Sequence, residues 1–158
     1  MSILQVKNYF AEYGLQDKII EFDSSSATVQ LAAQVLNTQP GRIAKTLSFD
    51  LDGKTILVVM AGDVKVNNAL YKAVFGKKAK MLSATEVEKR VGHAVGGVCP
   101  FAVNSGVEVY LDVSLKKYST VFPACGSANS AIELIAAELE KYACSKGWID
   151  IGKPMVGE

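Results

Sequence analysis

Lys45 is the residue whose position most invites chemistry. In Ile43-Ala44-Lys45-Thr46-Leu47-Ser48-Phe49, the period-2 alternation of a strand puts it on one face with Ile43, Leu47 and Phe49. That face is apolar, and an ammonium is costly to desolvate, so a lysine there needs a partner or a route to water. Two readings stand: the side chain snorkels to solvent from the mouth of the strand, or it serves a cleft as a fixed positive charge. A second segment, Gly96-Gly97-Val98-Cys99-Pro100-Phe101, sets two glycines ahead of a proline. Glycine lets the backbone approach a ligand closely, and its N–H groups can point at a carbonyl oxygen or a developing oxyanion. One well-placed donor of that kind lowers a barrier by about 3 kcal/mol. A structural turn would use the same residues. The segment Ala124-Cys125-Gly126-Ser127-Ala128-Asn129-Ser130 is a small-residue loop that could flank a pocket, meet a phosphate or simply turn the chain.

A cysteine nucleophile would have to be Cys99 with His93 as its base, and nothing in the sequence brings the two together. An isolated cysteine is more often a small buried hydrophobe. The three cysteines, Cys99, Cys125 and Cys144, form neither a CxxC pair nor an even disulfide set, and the single histidine cannot complete a zinc motif by spacing. Reduced thiols in a cytoplasmic protein are the simplest expectation. Lys72, Lys77, Lys78 and Lys80 cluster around Gly76, a candidate phosphate contact or a solvated surface. The formal net charge of +1 excludes a strongly basic nucleic-acid binder but not a local patch.

These residues need a frame, and 158 residues with 49% hydrophobic and 21% charged content suit one globular domain. No apolar run approaches the roughly 20 residues that span a bilayer, and the N-terminal residues lack the apolar block of a secretory signal, so no membrane partner is expected. Apolar spacing predicts a helix over residues 2–13 closed by Gly14, a short strand over 18–22 and a helix over 28–36. Strands over 43–49 and 55–60, joined by residues 50–54, predict an antiparallel hairpin whose second strand is central. Helices over 67–75 and from the Ser83–Glu86 capping box to Val91 follow. Strands are expected over 107–113 and 120–124. Residues 130–144 fit either one helix or a strand followed by a helix from about Ala136. The interspersed elements predict a single-domain α+β fold with a mixed, mostly antiparallel sheet surrounded by helices.

Three motifs fall in one order: Ile43-Ala44-Lys45-Thr46-Leu47, Gly96-Gly97-Val98-Cys99-Pro100-Phe101, and the Gly126-Ser127 loop followed by Ile132-Glu133-Leu134. With the helix over 28–36, the Gly62-Asp63 turn and the Tyr110-Leu111-Asp112 strand, they resemble the YbaK family, free-standing relatives of the prolyl-tRNA synthetase editing domain. The resemblance covers residues 18–145. It implies one domain over the whole chain, with a strand in the 130–134 region, and hydrolysis of the ester between a wrong amino acid and the 3′-terminal adenosine of tRNA, with no metal or cofactor. It implies Lys45, Gly97 and Asp112 as catalytic residues, with Asp112 orienting Lys45 by a charge-assisted hydrogen bond. It also implies Phe22, Gly96, Val98, Cys99, Pro100, Gly126 and Ser127 as substrate-binding residues. The partners it implies are the acceptor end of aminoacyl-tRNA and, as a second candidate, an aminoacyl-tRNA synthetase.

Departures from the family pattern bear on the substrate. Cys99 stands where the family often has serine, and Ala102 where it often has glycine. An arginine common in the late loop is absent, and Phe22 occupies the place of a tyrosine used by the cysteine-specific branch. These favour serine, threonine or alanine over cysteine as the amino acid removed. An aminoacyl ester is already activated, so positioning a water or the ribose 2′-hydroxyl beside a polarised carbonyl can suffice without a triad. The rival reading from another class is a non-catalytic module that holds an RNA end or a synthetase in the same groove. A hydrolase built on Cys99 is the third.

Overall fold

The hairpin at the centre of the fold follows directly from its turn. In the computed structural model, which describes residues 2–155, β2 (Ile43–Leu51) and β3 (Lys54–Ala61) are joined by Asp52 and Gly53 alone. Both turn residues have positive φ, 52° and 86°, the primed turn whose twist matches that of paired strands. The strands therefore run further into the expected 50–54 loop than apolar alternation alone suggests. They pair in register from Ala44↔Ala61 to Leu51↔Lys54.

Around this hairpin the main sheet is mixed, in the order β6-β2-β3-β5-β8, with β5 at Glu108–Asp112, β6 at Phe122–Pro123 and β8 at Trp148–Ile149. The β2–β3 ladder is antiparallel, while β2–β6, β3–β5 and β5–β8 are parallel. Antiparallel pairing also forms two small ribbons, β1 (Ile20–Glu21) with β7 (Ser130–Ala131) and β4 (Val64–Val66) with β9 (Gly152–Pro154), and the isolated bridges Phe49↔Met81 and Val121↔Leu134. Parallel neighbours need crossovers, and helices supply them.

Both faces of the sheet are covered, which is why TILVVMA is apolar throughout. Leu57, Val59, Ala61, Val109 and Leu111 pack on one face against α1 (Ser2–Ala11), α4 (Ala84–Val91) and α5 (Ala136–Tyr142). Phe49, Ile56, Val58 and Met60 pack on the other against Tyr71 of α3 (Asn68–Phe75) and Ile151. The helix α2 (Val29–Leu36) sets Ala32 and Ala33 against Ile43, Phe122 and Ala131 at the β6 end. Caps fix the starts of these helices. Thr28 and Asn67 accept from the first-turn amides of α2 and α3, and Ser83 and Glu86 form the reciprocal capping box of α4. Residues 130–144 resolve into β7, an isolated bridge from Leu134 to Val121, and α5. Among the described residues, no helix is long and apolar enough to cross a membrane.

Candidate active site

A cavity of about 450 Å³ opens beside β2. Its walls are the approach to α2 from Ser26 to Val29, the strand residues Ile43–Ser48, the start of α4, and the glycine loop at Val95, Gly96 and Val98. Most of these side chains are aliphatic, and Lys45 is the sole charged residue among the described residues of the lining.

The alternation predicted for β2 holds, with Leu47 and Phe49 packed on the α3 side of the sheet. Lys45 shares that parity. Its ammonium donates to the carbonyl oxygen of Val64 and lies 3.9 Å from Met155 Sδ. Burial lowers its pKa below the ordinary lysine value, and the nearby Asp63 carboxylate opposes that shift. Asp63 is itself fixed, because Tyr118 donates its hydroxyl to Asp63 Oδ2 at 2.6 Å. Burial first, and that carboxylate second, push the Tyr118 hydroxyl up to about 12. The Pro40-Gly41 turn closes over this pair. A Cβ on Gly41 would collide with the Tyr118 hydroxyl and come within 2.7 Å of Asp63 Oδ2.

The expected hydrogen bond between Asp112 and Lys45 is not formed, and the register explains why. Lys45 faces Met60 across the hairpin, and the parallel ladder carries Val59 opposite Leu111. Met60 therefore stands between Lys45 and Asp112 on the same face. The Asp112 carboxylate is 1% exposed and fully engaged elsewhere, accepting from the Ile151 N–H at 2.9 Å and the Ser114 N–H at 3.0 Å. It ties the C-terminal segment to the end of β5. The charge nearest in effect to Lys45 is Asp63.

The two glycine loops do meet. A Cβ on Gly97 would lie 2.7 Å from Ser127 N and 2.8 Å from Gly126 C, so only glycine lets the loops touch. Gly96, with φ +95°, sits against Ala27 and Ala128. The Gly97 N–H is occupied by a turn bond to Ala94 O at 3.0 Å. That leaves the N–H groups of Gly96 and Val98, which line the cavity, without a protein acceptor among the described residues. Gly126 and Ser127 stand behind this wall. Gly126 packs on the backbone of Ser2 and Ile3, and Ser127 donates to Ser130 Oγ at 2.7 Å.

Three expected binding residues lie away from the cavity. Cys99 is 0% exposed and Pro100 is buried beside it. Phe22 packs with the α2 cluster, its backbone held by Asn129. Cys99 Sγ is 3.5 Å from His93 Nε2, so the pair left open by the sequence is real. Yet burial pushes the thiol up to about 12 and pulls the imidazole below its ordinary value. A thiol held protonated in the core, next to a neutral imidazole that itself hydrogen-bonds Phe101 O at 2.7 Å, is a packing element, not a nucleophile. The sequence does not single out Asp63 or Tyr118. The Gly62-Asp63 turn was in view, but its tie to Lys45 depends on how the chain folds back after β3.

Comparison with known proteins agrees with this architecture. The family model described as the aminoacyl-tRNA editing domain matches residues 23–142. The chain is 50% identical over 154 residues to the uncharacterized protein YwhH of Bacillus subtilis (strain 168), covering 97% of this chain and 98% of that one. It is 26% identical over 102 residues to a proline–tRNA ligase of Bacillus cereus (strain AH820), a match that takes in 64% of this chain and 18% of the ligase. Among solved structures, one described as a candidate trans-editing enzyme for prolyl-tRNA synthetase superposes with a TM-score of 0.86 at 25% identity, covering 96% of this chain and 97% of that chain. The hypothetical protein APE2540 superposes with a TM-score of 0.84 at 27% identity, covering 94% and 99%. The chain belongs to the aminoacyl-tRNA editing domain family.

Proposed function

We propose that this chain is a free-standing deacylase that cleaves the ester between a small, wrongly attached amino acid and the 3′-terminal adenosine of tRNA. Serine, threonine and alanine are its preferred amino acids, ahead of cysteine. The observation that carries this reading is the cavity itself: apolar walls, one lysine in the lining, and the open N–H groups of Gly96 and Val98. A volume of about 450 Å³ falls in the range of sites that enclose ligands larger than a lone amino acid, as an aminoacyl-adenosine is.

The lining holds no carboxylate, imidazole or thiol among the described residues, so the chain brings no general base to the ester. The reading therefore assigns attack on the carbonyl carbon to a water positioned beside the ribose 2′-hydroxyl, the water's proton passing to the departing 3′-oxygen. As the oxyanion develops, the N–H groups of Gly96 and Val98 stabilise it. The positive charge of Lys45 favours the same change at short range in a low-dielectric cavity. The acyl C–O bond then breaks, freeing the amino acid and restoring the tRNA hydroxyl. Alanine side chains at positions 27, 32, 44, 84, 124 and 131 line the cavity, and selection by size rejects larger side chains better than smaller ones.

The absence of a general base from this lining also favours a second reading, a module that binds the tRNA end or a synthetase without cleaving. Purified protein incubated with seryl-, threonyl-, alanyl- and cysteinyl-tRNA decides between them. Release of free serine, threonine or alanine faster than cysteine supports the proposal. Tight binding with no release from any of the four supports the module.

A further inference from the structure

We infer that Thr46 aligns the aminoacyl group, pairing with it through its main-chain N–H and C=O as one strand residue pairs with another. This inference rests on the deacylase reading of the cavity.

The strand β2 is covered by β3 along its whole length on one side. On the other side its cover is broken. The two-residue strand β6 reaches only Ile43 and Ala44. Residues 80–82 cover the far end, where the Leu82 N–H donates to Ser48 O at 3.1 Å and the Asp50 N–H donates to Lys80 O at 2.8 Å. Those two bonds fix the parity: even-numbered residues of β2 turn their main-chain groups away from β3. Thr46 has that parity and lies in the gap between the two covers. No backbone bridge reaches it from that side among the described residues. The gap coincides with the cavity, which residues 43–48 line. Thr46 Oγ1 is also buried, with no hydrogen-bond partner among the described residues.

The main chain of one residue thus brings an unpaired donor and an unpaired acceptor to a cavity with aliphatic walls. Buried polar groups are rarely left unpaired, and a ligand that pairs them gains what the empty protein forgoes. The complementary chemistry is narrow. In a hydrogen-bonded antiparallel pair, two facing residues exchange both N–H···O=C bonds. An aminoacyl ester offers one donor and one acceptor at the same separation. Its α-ammonium donates to Thr46 C=O, and its carbonyl oxygen accepts from the Thr46 N–H. This pairing suits any α-amino acid.

The test uses the full chain and a non-hydrolysable probe, 3′-deoxy-3′-(alanylamino)adenosine, followed by the amide signals of 15N-labelled protein. The expected result is a shift of the Thr46 amide on titration, with slowed exchange of its hydrogen. A ligand that shifts the Gly96 and Val98 amides while leaving Thr46 unmoved overturns the inference and keeps the deacylase reading. No shift at any of the three overturns both.

Discussion

Replacing Gly97 by alanine should wedge apart the two glycine loops that form one wall of the cavity. The φ of Gly97 is not in the left-handed region, so the cost is purely steric. The added Cβ would lie 2.7–2.8 Å from three backbone atoms of Gly126 and Ser127. Backbone cannot swing aside as a flexible side chain can, and Gly126 is itself packed against Ser2 and Ile3. The strain therefore spreads into α1 or displaces the Gly96–Val98 wall. Overpacking of this kind costs about 1–3 kcal/mol, a drop of roughly 2–4 °C in melting temperature per kcal/mol for a chain of this size. Calorimetry or urea unfolding of the Gly97→Ala variant measures that loss, and deacylation kinetics on the folded variant should show a larger loss in kcat/KM than in stability. The comparison is Gly106→Ala, whose Cβ meets open space but whose φ of +89° strains alanine, so it loses stability through its own backbone alone and keeps its activity. A Gly97→Ala protein as stable and as active as wild type would refute the contact between the loops.

Asp112→Ala should act on stability, because it strands the buried N–H groups of Ser114 and Ile151. The expected loss is about 1–3 kcal/mol per unpaired group, with the activity of the remaining folded protein largely retained. A stable variant with no activity would instead restore a direct role for this carboxylate. Burial lowers the pKa of Lys45, and the ammonium is the useful form. Activity, corrected for spontaneous ester hydrolysis, should therefore fall on the alkaline side below the ordinary lysine value of about 10.4. Lys45→Arg should move that limb upward, and a limb that stays in place would assign it to another group. Burial also lowers the pKa of His93, so the unfolded chain takes up a proton that the folded chain refuses as pH falls through about 6.5. Stability is then full above that pH and declines as pH falls towards the lowered folded value. Urea midpoints should show a decline that His93→Gln flattens, and an equal decline in both proteins would contradict this assignment.

Much of this fold was legible because its long elements carry their own signals. The Ser83–Glu86 capping box and the alternation in β2 and β5 are local, and each appears where its residues indicate. The strand expected over 18–22 shrinks to Ile20–Glu21 because residues 16–18 form a helical turn. The short strands β4, β8 and β9, two or three residues each, have too few residues for any periodicity. They exist because neighbouring edges receive them. The site divides along the same line. Lys45, Gly96 and Val98 lie on the cavity wall, and the meeting of Gly97 with Gly126-Ser127 follows from glycines that no other residue could replace. The partner of Lys45 was not legible, since a strand's parity gives the face but not what intervenes across the sheet. Met60 separates Lys45 from Asp112, and the chain's return after β3 brings Asp63 in its place.

The account rests most heavily on Lys45 as the charge that serves the ester. Its direct measure is the rate at which wild type and Lys45→Ala release amino acid from whichever of seryl-, threonyl- or alanyl-tRNA the wild type cleaves fastest. Both proteins are first checked for equal thermal stability. Loss of a preorganised electrostatic contact predicts a fall of at least about 100-fold in kcat. A Lys45→Ala protein that is folded and retains wild-type turnover would contradict the account at its centre.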